Sequence, residues 1–89
     1  MDISATKAPN GTEVAATGVR FSDTMLFVSL SDGREIGLPL STHWLRWLAQ
    51  ATPEQRAGWR LEPGGWAIYW DALDDGLEVS HLLSHQPLA

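Results

Sequence analysis

The chain has 89 residues, with 11 acidic and six basic side chains, a net charge of −5 at pH 7, five tryptophans and no cysteine. A chain of this length forms one domain with a narrow margin of stability and no room for a deep cleft. The lack of cysteine excludes disulfides, thiolate metal sites and thiol catalysis, and the acidic balance without a basic stripe argues against direct nucleic-acid binding.

The beginning of the chain is polar and contains the turn-forming sequence Pro9-Asn10-Gly11. Residues 1–12 are therefore predicted to form a flexible lead-in, and residues 13–85 a single α+β domain. The apolar runs are far shorter than the roughly 20 residues that a membrane span needs. We expect a cytoplasmic protein that does not act at membranes.

A β-hairpin is predicted around Asp32-Gly33, after a first strand that contains Val19 and Phe21. A two-residue loop would place the apolar residues of the two hairpin strands on opposite faces. A three-residue loop over 31–33 instead pairs Val28 with Ile36 and brings the apolar residues to one face. The alternation therefore predicts the longer loop, with Gly33 at positive φ.

Two helices are predicted next, after Pro39 ends the strand. The first covers 43–50, with Ser41 or Thr42 as its cap and with apolar residues at helical spacing. The second begins at the sequence Thr52-Pro53-Glu54-Gln55, which has the pattern of a capping box with proline at the first helical position. Gly58 predicts that this helix is short.

A second hairpin is predicted over 59–70, with its turn at Pro63-Gly64-Gly65. The acidic segment 71–78 is predicted to be a solvated turn before a short closing helix. The fold class is therefore α+β: a small antiparallel sheet built from hairpins, with one main helix and two short helices. The tryptophans are predicted to form the core, with Trp47 and Trp70 partly exposed because five rings are hard to bury in so small a body.

No metal, cofactor or catalytic site is predicted. The acids of segment 71–78 lack the spacing of a calcium loop. His81 and His85 are four residues apart, but Leu82 stands where a zinc protease has glutamate, and a third ligand is missing. None of the serines has the spacing of a nucleophile with its base and orienting group.

Three segments together resemble one family of small bacterial and phage domains, domain of unknown function 2442. They are LFVSLSDGREIGLPL (26–40), WLRWLAQATPEQRAGW (44–59) and WDALDDGLEVSHLL (70–83). The family often has proline and arginine within 43–46, and its acidic block usually carries a third acid where Gly76 stands. The resemblance implies a small α+β domain without an assigned activity, often encoded beside another small protein, as in toxin–antitoxin pairs.

We therefore expect a non-enzymatic protein-interaction module, the acidic, antitoxin-like partner of a two-gene pair, which binds a basic protein. The predicted contact residues are Arg46, Trp47, Trp70, Asp74 and Asp75. One alternative is a small-molecule-binding or enzymatic domain with a cleft lined by Trp47, Trp70 and Arg46. Another is a phage-encoded inhibitor of a host protein, and association of two copies into a homodimer stays open.

Overall fold

A computed structural model describes residues 14–84, which form two antiparallel sheets and short helices, the predicted α+β class. Each sheet has three strands in chain order, so the hairpins build two sheets rather than one. The first sheet contains β1 (Ala16–Phe21), β2 (Met25–Leu30) and β3 (Glu35–Pro39), and the second contains β4 (Trp59–Leu61), β5 (Ala67–Trp70) and β6 (Asp75–Glu78). The helices are α1 (Arg46–Ala49), α2 (Pro53–Ala57) and α3 (Val79–Ser84). The predicted lead-in over 1–12 and His85 of the histidine pair lie outside the described residues.

The first sheet confirms the predicted hairpin register. Val28 lies opposite Ile36 in the β2–β3 ladder, and the backbone N–H of Leu30 donates to the carbonyl oxygen of Arg34 at 2.8 Å. Gly33 has φ of 92°, the left-handed conformation that glycine adopts without steric cost. The alternation of apolar side chains therefore selects the three-residue loop.

The main helical segment differs from the predicted regular helix. A single 3-10 turn, His43–Leu45, precedes the short α1. Thr42 stands at the N-terminal end but makes no side-chain capping bond, so the cap predicted here is wrong. Leu45, at the end of the 3-10 turn, and Leu48, in α1, are nevertheless fully buried, because residues three apart lie on the same face of a helical segment.

The second helix begins with the predicted capping box. The N–H of Gln55 donates to Thr52 Oγ1 at 3.1 Å, and the N–H of Thr52 donates to Gln55 Oε1 at 2.9 Å. One turn later, the guanidinium of Arg56 donates to the carbonyl oxygens of Leu48 and Ala49, both at 2.9 Å. A basic side chain thus binds the last carbonyls of α1, where regular helical hydrogen bonding ends; the Leu48 carbonyl oxygen also accepts the Ala51 N–H at 3.1 Å.

The second sheet contains the predicted hairpin and one unpredicted strand. β4 and β5 are joined through a 3-10 turn, Pro63–Gly65. Residues 75–78, predicted as part of a solvated turn, instead pair with β5 as β6. A Cβ at position 76 would lie 2.6 Å from the carbonyl oxygen of Ile68, so Gly76 allows the two strands to approach.

One hydrophobic core is shared by both sheets and the helical segments. Its fully buried members come from β2, β3, β5, α1, α3 and the 3-10 turn before α1: Leu26, Val28, Ile36, Leu45, Leu48, Ile68, Trp70 and Leu82. The sheets also touch where Gly65, at φ of 71°, meets the start of β1. A Cβ on Gly65 would lie 2.6 Å from the carbonyl oxygen of Ala16.

Candidate functional site

The tryptophans differ sharply in exposure. Trp70 is 0% exposed, whereas Trp66 is 54% exposed. The Trp70 ring meets the Trp47 ring edge-to-face at 5.5 Å between centroids, and its Nε1–H donates to the carbonyl oxygen of Arg56 at 2.9 Å. The prediction that Trp70 is partly exposed and contacts a partner is wrong, whereas Trp47 is half-buried as predicted.

Trp66 is exposed because of its backbone conformation. It has φ of −74° and ψ of −18°, which are helical values, and β5 begins only at the next residue. Its side chain is therefore not part of the alternation that directs Ile68 and Trp70 into the core. The predicted strand pattern, in which these three residues share a face, starts one residue too early.

Arg46 and Trp47 do not form a common cleft with Trp70. Arg46 is exposed and lines a small depression of about 240 Å³ with His43, Ala49 and Gln50. Trp47 contributes to a different depression, and Trp70 lies beneath it in the core. The cleft lined by Trp47, Trp70 and Arg46, required by the small-molecule hypothesis, is therefore absent from residues 14–84.

An open groove of about 500 Å³ lies between the helical segment, β6 and α3. We call it the aromatic–acidic groove, and its lining residues are Trp44, Trp47, Asp75, Gly76, Leu77, Glu78 and His81. The Trp44 and His81 rings pack edge-to-face at 4.5 Å between centroids. The Nε1–H of Trp47 donates to the backbone carbonyl oxygen of Trp44 at 3.1 Å, which fixes the Trp47 indole against the backbone at the start of the same wall.

The opposite wall of the groove is the outer edge of β6. The N–H of Val79 donates to the carbonyl oxygen of Trp66 at 2.9 Å, and hydrogen-bonded pairs alternate along an antiparallel ladder. The backbone groups of Gly76 and Glu78 therefore point away from β5, toward the open edge. Asp75 Oδ1 accepts the Gly76 N–H at 2.8 Å, so this carboxylate already satisfies one of the outward-facing donors.

The groove carries carboxylates that the protein does not neutralise. Asp75 and Glu78 make no ion pair with any residue from 14 to 84. Four other acids in this part of the chain are paired with arginine: Asp32, Glu35, Glu62 and Asp71. The groove therefore brings carboxylates that lack an ion-pair partner among residues 14–84 beside aromatic rings.

Asp74, the neighbouring predicted contact residue, is engaged elsewhere. It adopts a left-handed conformation with φ of 52°, and its Oδ1 accepts the Tyr69 hydroxyl at 2.5 Å. This hydrogen bond, with a smaller contribution from burial, raises the pKa of Tyr69 above its ordinary value. Asp74 does not line the groove, so of the five predicted contact residues only Trp47 and Asp75 meet there.

A charged pair lies farther along the second sheet. The guanidinium of Arg60 binds Asp71 with distances of 2.9 and 3.2 Å. The hydrogen bond lowers the pKa of Asp71 and raises that of Arg60. Both side chains are exposed, so this ion pair contributes little to the stability of the protein.

Three residues of the groove were missed by sequence reasoning: Trp44, Glu78 and His81. The three-residue spacing of Trp44 and Trp47 indicates that the indoles share one face, and this signal could have placed Trp44 beside its partner. Glu78 could not be placed without β6, because its position depends on the strand pairing. His81 was examined as a metal ligand, but no cluster of three or more potential metal-ligating side chains exists in the described part of the chain.

The family model described as "Protein of unknown function (DUF2442)" matches residues 16–87. The chain belongs to this family. A crystal structure of a protein of unknown function from Rhodospirillum rubrum is similar to this family member, with a TM-score of 0.69 and 20% sequence identity over 88% of this chain and 94% of that one. At that identity the likeness concerns the fold alone. No curated protein matches the chain.

The family and the similar structure are both of unknown function, and neither indicates an enzymatic activity. In the part of this DUF2442 member that the structure describes, no helix has the length and apolar character needed to cross a bilayer.

Proposed function

We propose that this DUF2442 protein is a non-enzymatic protein-interaction module that binds a basic protein through the aromatic–acidic groove. The observation that carries the proposal is the meeting of two indole rings with two carboxylates that have no arginine partner among residues 14–84. Tryptophan is enriched among residues that dominate binding energy. Uncompensated carboxylates steer and orient a partner of opposite charge.

The shape of the groove favours a macromolecular partner over a metabolite. The groove is an open depression between β6 and the helical segment. Small-molecule sites are concave and surround most of the ligand. A lysine or arginine side chain on a protein surface requires less enclosure by the groove, because the surrounding contacts of the protein interface exclude water.

The resemblance described above narrows the proposed partner to the product of a neighbouring gene, with this chain as the acidic, antitoxin-like member of the pair. Mixing the two purified proteins at micromolar concentration in a calorimeter tests this directly. We expect saturable binding that weakens as salt rises, because exposed charges are screened. No heat of binding and no co-elution would overturn the proposed pair.

A charge reversal locates the contact surface. Asp75→Lys places a like charge against the basic partner, and we expect at least about a tenfold loss of affinity. Asp23→Lys is the matched control, because Asp23 is also exposed, lies outside the groove and gives the same change in net charge. Equal affinities of the two variants would show that the groove is not the contact surface.

Sedimentation of the protein alone distinguishes a second copy from a basic partner. A wild-type dimer that Asp75→Lys converts to a monomer would mean that another copy occupies the groove, and it would replace the proposed function.

A further inference from the structure

Trp66 is the only large hydrophobic side chain among residues 14–84 that is mostly exposed. It belongs neither to the core nor to the partly buried apolar residues that pack against the core. The exposed part of this indole is removed from water only when another molecule packs on it. Large aromatic rings are frequent anchors of interfaces.

A depression of about 280 Å³ adjoins Trp66. Its walls include the aromatic side chains of Trp66 and Tyr69 and the carboxylates of Glu62 and Glu78. Ala67 and Gly76 also line it, and their small size leaves the space between the rings open. We call it the outer-face pocket; it lies on one side of β6, and the aromatic–acidic groove lies on the other.

The same sheets already hold cations between a ring and a carboxylate. The guanidinium of Arg20 lies 3.9 Å from the Phe27 ring centroid and binds Glu35 at 3.0 Å. The guanidinium of Arg60 lies 5.1 Å from the Tyr69 centroid and 3.3 Å from Glu62.

Trp66 and Glu78 offer the same two kinds of group without such a cation. In the region 14–84, no arginine or lysine stacks on Trp66, and Glu78 makes no ion pair. Indole is the aromatic ring that binds cations best. Because Arg60 already neutralises Glu62, Glu78 is the carboxylate that remains for an incoming charge.

We propose that the outer-face pocket binds one cationic side chain, a lysine ammonium or an arginine guanidinium. The alkyl chain lies along Trp66 and the charged end meets Glu78. This inference rests on the proposed function, because the cationic side chain belongs to the basic protein partner. It adds a specific side-chain pocket, which shares Gly76, Leu77 and Glu78 with the groove and has Trp66 as its own wall, and it fixes where a single residue of the partner is held.

The pocket can be tested with small probes. N-acetyl-lysine methylamide and N-acetyl-arginine methylamide are titrated into the full chain, and the Trp66 indole N–H and the Gly76 amide are followed by NMR. N-acetyl-norleucine methylamide, which has a similar length and no charge, is the control ligand. We expect saturable shifts with the cationic probes only, at dissociation constants on the order of millimolar.

Variants separate the pocket from general charge attraction. Glu78→Gln is expected to weaken binding about two- to fivefold, because it removes one exposed ion pair, and Trp66→Ala to abolish the shift at Gly76. Glu54→Gln removes an equal charge from α2 and is expected to leave binding unchanged. A shift caused equally by the norleucine probe, or one insensitive to Trp66→Ala, would overturn the pocket. A preference between the two cationic probes identifies the side chain.

The outcomes for the pocket and the groove are distinguished at residues that line only one of them, Trp66 in the pocket and Asp75 in the groove. Failure of the partner test with intact lysine binding would remove the proposed partner and leave the pocket. Partner binding that depends on Asp75 with no probe binding at Trp66 would remove the pocket and leave the proposed function.

Discussion

Trp70 connects three parts of the molecule through one side chain. Its ring packs edge-to-face on Trp47 and on Phe21, at 5.5 and 6.5 Å between centroids. Its Nε1–H donates to the carbonyl oxygen of Arg56, whose own guanidinium binds the last carbonyls of α1. A buried indole needs such an acceptor, and here the acceptor joins α2 to the second sheet.

We predict that Trp70→Phe lowers the free energy of unfolding by about 2–3 kcal/mol, through lost packing volume and an unsatisfied carbonyl at Arg56. Trp66→Phe is the matched control, and its expected cost is below about 0.5 kcal/mol because the side chain is mostly exposed. Urea unfolding of the two variants measures the difference. Equal costs would contradict the burial of Trp70 in the core.

The stability of α2 depends mainly on the hydrogen bonds at its N-terminal end. None of its residues is buried, so packing of an apolar face contributes little. Its first turn is held by the reciprocal bonds between Thr52 and Gln55, with Pro53 at the first helical position. Short helices are marginal on their own, and capping therefore decides whether this one forms.

We predict that Thr52→Ala destabilises the protein by about 0.5–2 kcal/mol, the usual cost of removing a capping hydroxyl. Thr52→Ser keeps the acceptor oxygen and should retain most of the stability. Thermal unfolding and the hydrogen-exchange rate of the Gln55 amide report the effect. If alanine and serine behaved alike, the hydroxyl would not be the source of the stability.

The predictability of each element follows from the range of the interactions that form it. The β2–β3 register and the Thr52 capping box are confirmed because alternation, a turn glycine and a cap act between residues close in the chain. β6 was missed because it has one buried apolar residue, Leu77, and its pairing depends on space that Gly76 leaves beside Ile68.

The candidate site was predicted only in part for the same reason. Trp47 and Asp75 meet in the aromatic–acidic groove because α1 and β6 come together in three dimensions, and neither residue type nor spacing carries that information. Trp66 was assigned to the core because strand alternation was extended through a residue with helical backbone angles.

For the whole molecule, the contact between the two sheets at Gly65 leaves no spare space. The turn after β4 approaches the carbonyl oxygen of Ala16 so closely that any side chain at position 65 would collide with the backbone. Gly64 has a similar positive φ of 78°, but a Cβ at that position would meet nothing within 4 Å beyond its chain neighbours. Both glycines therefore have a backbone conformation that disfavours a side chain, but only at Gly65 would a side chain also collide with a neighbouring strand.

We predict that Gly64→Ala costs about 1–2 kcal/mol, the penalty of a left-handed residue with a side chain. Gly65→Ala should cost about 2–4 kcal/mol, because the collision with β1 adds to the same penalty. Chemical denaturation of both variants checks the order. A Gly65→Ala protein as stable as Gly64→Ala would show that the sheets can separate at this point without loss.

The hydrogen bond from the Gly76 N–H to the Asp75 carboxylate opposes the addition of other polypeptides to the open edge of β6. A strand with free donors along one border is a template on which other polypeptides can add, and fibrils grow by that route. In this protein the carboxylate occupies one such donor and adds charge to a border only four residues long. Removal of this carboxylate by Asp75→Ala would expose the donor, so the variant should form fibrils more readily than the wild type.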